Sequence, residues 1–543
     1  MIESPIEVYD YIVVGAGAAG AIVAARLTEV PNTRVCLVEA GPGDRRPYVT
    51  IPAGFVKTLI QPEITWQFHT EPTPLTGGRA ISVTQGKLVG GSGSINGMVY
   101  NRGLPSDFNT WAQLGNAGWS WEELLPYFCK SAFRVGFGGD NIHGRNHEGV
   151  PVTDMDWFHP VSEAFIEAAR SLGLPRNPDY NGGDQEGVGY FQRTIRKGLR
   201  VSSAAAILRP ALKRSTLNLI TNATVVSLIL DGRRVKGVNF RRNGSESDIR
   251  IHARREVVVS AGTVNTARLL QISGIGPGAV LTPIGVPVLH AMPGVGENLA
   301  DHYSARIVMR AKPGVVTLNE LSKGPRLLVE IAKWAMGRPN ILSHAPSQVY
   351  MFTRSDPSLQ EPDLQCVFTP GSYKEGKHYM LNSYPGVTGG AWQHRPLSRG
   401  YVRARSRDVT VDPVIQPNYL ENPVDRAVMV GGMQFVRRVL SSELLAPYLE
   451  CETIPGAEIA NDDAMLRFCV EQGSTGYHLV GTAKMGPAND KLSVVDNRLR
   501  VHGLEGLRIA DASIMPTIPS ANTYASSMAI GEKAADMIRA DTR

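Results

Sequence analysis

The apolar run Asp10 to Val14 (DYIVV) leads directly into Gly15-Ala16-Gly17-Ala18-Ala19-Gly20. This join of a strand to a glycine-rich turn constrains the fold more than any other stretch of the chain. The run reads as a strand buried on both faces. The Ala-rich stretch Ala21 to Glu29 reads as a helix, broken at Pro31 and Asn32, and Arg34 to Val38 (RVCLV) forms a second strand ending at Glu39. Together they make a βαβ unit. Gly15 permits the tight turn off the strand, Gly17 lets the backbone approach a pyrophosphate, and Gly20 lets the helix pack closely on the strand. The helix N-terminus offers unpaired N–H groups and its positive dipole end to phosphates. Glu39 stands where a carboxylate accepts both ribose hydroxyls of an adenosine and repels a ribose phosphate. The pattern predicts a bound dinucleotide and leaves NAD and FAD both open.

The rest of the chain bounds the other possibilities. At 543 residues it is too long for one core, and 43% hydrophobic with 20% charged residues suits a soluble globular protein. No apolar run is long enough for a membrane span, and the acidic stretch Met1 to Asp10 has no signal-peptide character. The formal charge of +6 comes from scattered Lys and Arg residues, which reads as a solvated surface and not a nucleic-acid stripe. The five cysteines include no C-x-x-C pair and no metal-ligand spacing, so reduced thiols in a cytoplasmic protein and no metal are expected. From Leu217 to Val259 short strands are expected, with turns at Asp231-Gly232 and Asn243-Gly244. Residues 301–470 read as more irregular, a region shaped around a substrate. Leu507 to Ala510 reads as a strand, and Tyr524 to Ile538 as a helix.

Gly86 to Asn109 (GKLVGGSGSINGMVYNRGLPSDFN) resembles the first signature of the glucose–methanol–choline (GMC) oxidoreductases. Gly262 to Gly276 (GTVNTARLLQISGIG) resembles the second, with Ala267 where Pro or Ser is usual. With Tyr477 to Thr482 and Ala510 to Pro516, the likeness spans nearly the whole chain in order. It implies an α/β fold: a doubly wound Rossmann-like FAD-binding domain, plus an α+β substrate domain with a mainly antiparallel sheet. The implied division assigns 1–155, 205–300 and 470–543 to FAD, and 156–204 and 301–469 to substrate. It also implies that the dinucleotide is FAD. Beside Gly15, Gly17, Ala18, Ala19, Gly20 and Glu39, the resemblance adds Ala40, Trp66, Gly86, Val89 and Gly90 to the cofactor site. Gly91, Ser92, Asn96, Gly97 and Met98 would approach the flavin and pyrophosphate. Val225 would meet the adenine, Ala261 and Asp511 the adenosine and ribityl portions, with Ala512, Asn522 and Thr523 close by. Some relatives attach FAD through a histidine where this chain has Ile95, so non-covalent FAD is expected.

Oxidising an alcohol by hydride transfer to flavin N5 requires a base for the hydroxyl proton. The resemblance puts that base at His478 and the second catalytic position at Asn522, which hydrogen-bonds the substrate oxygen but does not titrate. His302 and His394 read as structural. Choline-oxidising relatives place a glutamate where this chain has Gln348, which leaves no charge for a quaternary ammonium. Trp66, Phe368, Tyr373, Trp392 and Tyr477 are candidate aromatic wall residues, and Gln348, Phe368, Trp392 and Tyr477 are the expected substrate contacts. The expected reaction takes a neutral primary alcohol, aryl or aliphatic, to its aldehyde, with oxygen or another oxidant accepting the electrons. The alternatives are a choline dehydrogenase-like enzyme and a hydroxynitrile lyase-type reaction on the same scaffold.

Overall fold

The strand Glu7–Val14 lies in the middle of a seven-stranded sheet, between Val35–Val38 and Asp248–Val259, and pairs parallel with both. The computed structural model describes residues 7–137, 142–144, 148–374 and 377–542, and only the backbone of 377–379. Residues 1–6 of the acidic N-terminal stretch therefore lie outside it. Leu217–Ile220 continues the parallel order beyond Val35–Val38, and Leu507–Ile509 pairs parallel with Val257 to Val259. The first half of Asp248–Val259 instead pairs antiparallel with Arg234–Arg242, which pairs with Ala223–Asp231. These last strands are longer than expected, Asp248–Val259 reaching 12 residues. Ile12, Val13, Val257 and Val258 are fully buried, as strands covered on both faces require.

The first helix is Gly20–Leu27, and the last is Tyr524–Asp541, one turn longer than the sequence suggested. They touch closely: a Cβ at Gly531 would stand 2.7 Å from the Ala19 carbonyl oxygen. Arg26 and the buried Glu532 pair across them at 2.8 Å. The C-terminal helix is thereby clamped to the beginning of the chain.

Residues 301–470 are not irregular. They build most of a second seven-stranded sheet, antiparallel throughout, in the order Leu449–Ile454, Tyr303–Ala311, Gly386–Gln393, Leu364–Thr369, Val349–Thr353, Gly187–Tyr190. Ser474–Thr475 adds a short seventh strand beside Tyr303–Ala311. The sequence hid this because the central strand Gly386–Gln393 (GVTGGAWQ) is buried on both faces and so shows no alternation of polar and apolar residues. Its glycines admit the helix Pro423–Leu440, since a Cβ at Gly389 would lie 2.7 Å from Val436 Cγ1. The result is the α/β class expected, a doubly wound, mostly parallel sheet plus an α+β unit with an antiparallel one. No helix among the described residues is long and apolar enough to cross a membrane.

Candidate active site

Residues from both sheets line one cavity of about 370 Å³, within the range of roughly 300–1,000 Å³ usual for ligand sites. At one end lie Gly15, Gly17, Ala18, Ala19, Glu39 and Ala40, with Val225 alongside. Trp66, Gly86, Gly91 and Ser92 continue the wall, followed by Asn96, Gly97 and Met98. Ala261, Asp511, Ala512 and Thr523 also line it. At the far end are His478, Asn522, Tyr477 and Trp392.

Two glycine-rich loops form the first end. Gly90 N–H donates to the Ala16 carbonyl at 2.7 Å, and a Cβ on Gly91 would lie 2.8 Å from Gly17 Cα. Gly17 itself has no atom within 4 Å of where its Cβ would be, so its backbone faces open cavity. Glu39 accepts N–H bonds from Ala16 at 2.8 Å and Gly41 at 2.9 Å. Burial pushes its carboxyl up to about 7, against those two donors. Asp511 is also occupied, accepting from Gly262 N–H, Thr266 hydroxyl and Ser513 N–H.

Five residues expected at the cofactor or substrate lie off the cavity wall, Gly20 in the packing role its turn requires. Gly20 is packed under the turn, where a Cβ would meet the Gly15 carbonyl oxygen at 2.0 Å. Val89 is buried in the core, its N–H bonded to the Pro42 carbonyl. Phe368 points the wrong way by one residue: Gln365, Val367 and Thr369 face the cavity, while Phe368 stacks on Phe165 at 4.1 Å in the opposite layer. Strand alternation makes a slip of one position a change of face. Gln348 is fully buried off the wall, which Pro346 and Ser347 reach instead. Gly90 does not line the cavity either, because it serves the loop contact.

The far end holds a histidine chain that the sequence did not reveal. His302 Nδ1 lies 2.9 Å from His478 Nδ1, and His302 Nε2 lies 2.7 Å from the His394 carbonyl oxygen. A carbonyl only accepts, so His302 Nε2 carries the proton. Burial lowers His302 to about 4 and holds His478 well below the usual range, with His302 and His394 adding to the effect, so both rings are neutral at pH 7. Neutral His302 then presents a lone pair at Nδ1, and His478 Nδ1–H must donate to it. The lone pair of His478 is thus at Nε2, where Asn522 Nδ2 donates at 3.0 Å. Asp301 anchors this segment: Oδ1 accepts His478 N–H at 2.7 Å, and Oδ2 accepts the Thr475 and Tyr419 hydroxyls. Tyr477, just before the ring, takes a left-handed backbone with φ of 62°, a conformation costly for a bulky side chain and typical of functional sites.

Among the described residues, three buried polar atoms on this wall have no hydrogen-bond partner: Asn522 Oδ1, Trp392 Nε1 and Gln365 Nε2. Separately, the open space before Gly17, which a side chain would fill, fits a bound group whose phosphates approach that backbone. Residues 9–304 match the N-terminal family model of the GMC oxidoreductases, and residues 396–531 match the C-terminal one. The chain belongs to the GMC oxidoreductase family. It is 35% identical to the alcohol dehydrogenase [acceptor] of Pseudomonas putida, over 98% of this chain and 95% of that protein. Identity to the mitochondrial choline dehydrogenase of Mus musculus is also 35%, over 98% and 89%. The formate oxidase of Aspergillus oryzae RIB40, solved in a study of its FAD modification, superposes with a TM-score of 0.91 at 27% identity, covering 98% of each chain. The cofactor of this GMC oxidoreductase is FAD.

Residues missed from the sequence share one signal. His302 and Arg306 lie in line on one face of Tyr303–Ala311 and its N-terminal extension, and Arg306 reaches the cavity wall. Gln365 and Thr388 reach it by the same alternation from their own strands. Strand parity would have found them once the strands were recognised. Among the described residues no cluster of His, Cys, Asp and Glu is placed to hold a metal.

Proposed function

We propose that this FAD-dependent oxidoreductase takes a primary alcohol to its aldehyde, with His478 as the base. The observation that carries the reading is the tautomer chain from the His394 carbonyl through His302, which leaves the lone pair of His478 at Nε2 beside Asn522. A substrate hydroxyl entering there donates its proton to His478 Nε2, and Asn522 Nδ2 turns from the ring to hold the substrate oxygen. The turn off Glu7–Val14 and the N-terminus of Gly20–Leu27 hold the pyrophosphate, Glu39 the ribose, Val225 the adenine, and Gly97 and Met98 the ring system. FAD, when bound, supplies the hydride acceptor. We assign 1–155, 205–300 and 470–543 to holding FAD, and 156–204 and 301–469 to the substrate. Unbridged Cys36, Cys366, Cys451 and Cys469 suit the reducing cytoplasm.

Trp392, whose ring centroid lies 6.2 Å from that of His478, favours an aromatic alcohol. A choline-type substrate is the second reading, on the likeness to the mouse enzyme. Among the described residues the acids on the wall, Glu39 and Asp511, are both engaged by backbone N–H groups and leave a quaternary ammonium without a counterion. Anaerobic mixing with benzylic, aliphatic and choline substrates tests the reading. Loss of the oxidised flavin band with the benzylic alcohols is the expected result. A persistent oxidised spectrum with cyanohydrin turnover would replace it with a lyase. Readmitting air then reports whether oxygen or another oxidant takes the electrons.

Ile95 lines the cavity and is aliphatic, so no side chain there can bond the flavin. Acid precipitation is expected to leave a colourless pellet and all the flavin in the supernatant; a yellow pellet would show covalent attachment.

A further inference from the structure

The cavity face of the second sheet is a grid set by its register. Ser304, Trp392 and Gln365 form one cross-strand row, and Arg306, Gly390 and Val367 form the next. On that grid Arg306 lines the cavity, yet its guanidinium makes no hydrogen bond or ion pair among the described residues. Its neighbours are phenols, Tyr373 and Tyr477, and burial depresses its pKa. Of the other charged groups on the wall, Glu39, Arg268 and Asp511 all lie toward the FAD end, where each has partners. Two neutral donors beside Arg306 are also unspent: Trp392 Nε1–H and Gln365 Nε2–H are both buried without partners.

A half-buried cation with no counterion among the described residues is costly, and buried donors without acceptors add to that cost. Three such groups on one face, all pointing donors and none an acceptor, fit a ligand rich in acceptor oxygens. The row order places it. His302, against His478, and Arg306 are separated by ~13 Å along the strand, at roughly 3.3 Å per residue. The arginine side chain can lean back over part of that span, which leaves room for one ring between the carbinol and the acceptor group.

We propose that the substrate is a hydroxymethyl arene bearing a carboxylate, with the hydroxyl at His478 and the carboxylate received by Arg306, Trp392 Nε1–H and Gln365 Nε2–H. This rests on the alcohol-oxidation reading of the same site and replaces the expected neutral alcohol with an anionic one.

The test compares 4-(hydroxymethyl)benzoate with its methyl ester in anaerobic flavin reduction, and measures equilibrium binding of the unreactive 4-methylbenzoate to the holoenzyme by calorimetry. The wild type is expected to favour the acid over the ester in kcat/KM by about 10- to 100-fold, mainly through KM. Arg306→Met should collapse that ratio toward one and weaken 4-methylbenzoate binding by about the same factor, and Arg306→Lys should restore part of both. Because the arginine has no partner among the described residues to lose, Arg306→Met should melt no lower than the wild type, whereas an arginine with a structural role would melt lower and overturn the assignment. If the ester bleaches the wild-type flavin as well as the acid does and Arg306→Met binds 4-methylbenzoate unchanged, the carboxylate site is wrong while alcohol oxidation stands. If neither alcohol bleaches the flavin, the reaction is wrong, and the calorimetry alone decides the carboxylate site.

Discussion

His478→Ala should slow flavin reduction by the substrate by ~10²- to 10⁴-fold, the range for loss of a positioned general base. Among the described residues the cavity supplies no substitute. Asn522 does not titrate, and His302 spends Nε2 on the His394 carbonyl and Nδ1 on His478. Binding should change less than rate, because the hydroxyl keeps its partner on Asn522. Stopped-flow reduction under anaerobic conditions reads this directly, and an unaltered rate would remove His478 from the chemistry. The pH dependence follows from the same geometry. The base works only when unprotonated, and it is unprotonated above its pKa. Burial, together with His302 and His394, holds that pKa well below the usual histidine range. Reduction should therefore stay level from neutral into mildly acidic solution and fall only as pH drops through the depressed value.

Gly17→Val should leave a folded protein that purifies without its yellow colour. A Cβ at this position meets nothing within 4 Å, so the fold has no reason to object. The added side chain would instead stand in the space where the backbone must approach the pyrophosphate, weakening FAD by on the order of 10²-fold or more, ~2.7 kcal/mol. Circular dichroism and the flavin-to-protein absorbance ratio separate the two effects. Gly20 is the contrasting control, because its Cβ would lie 2.0 Å from the Gly15 carbonyl oxygen and the same substitution should damage folding. A Gly17→Val protein that keeps full flavin would show that the turn does not hold the pyrophosphate.

Legibility differed between the two halves of the site. The glycine-rich end was readable because the residues that build it are local. Gly15, Gly17 and Glu39 belong to one βαβ unit, whose turn, helix start and strand end lie within a short span of chain, and Gly91 meets Gly17 through a signature that is itself glycine-rich. The substrate end was not. Phe368 was one residue off the wall, Gln348 was buried behind it, and Arg306 went unremarked because a lone arginine in a strand looks like surface.

The sequence by itself determined the nucleotide-binding unit, the order of the family signatures, and the pairing of His478 with Asn522 as residue types suited to proton removal and oxygen binding. Only the tertiary structure decided which nitrogen of His478 is basic, since that depends on His302 and on a carbonyl of His394, both distant in the chain. It also decided which residues of the second sheet face the substrate. Local motifs encode contacts between near neighbours, whereas strand register and tautomer are set across the sheet, by pairings that one residue's shift would invert.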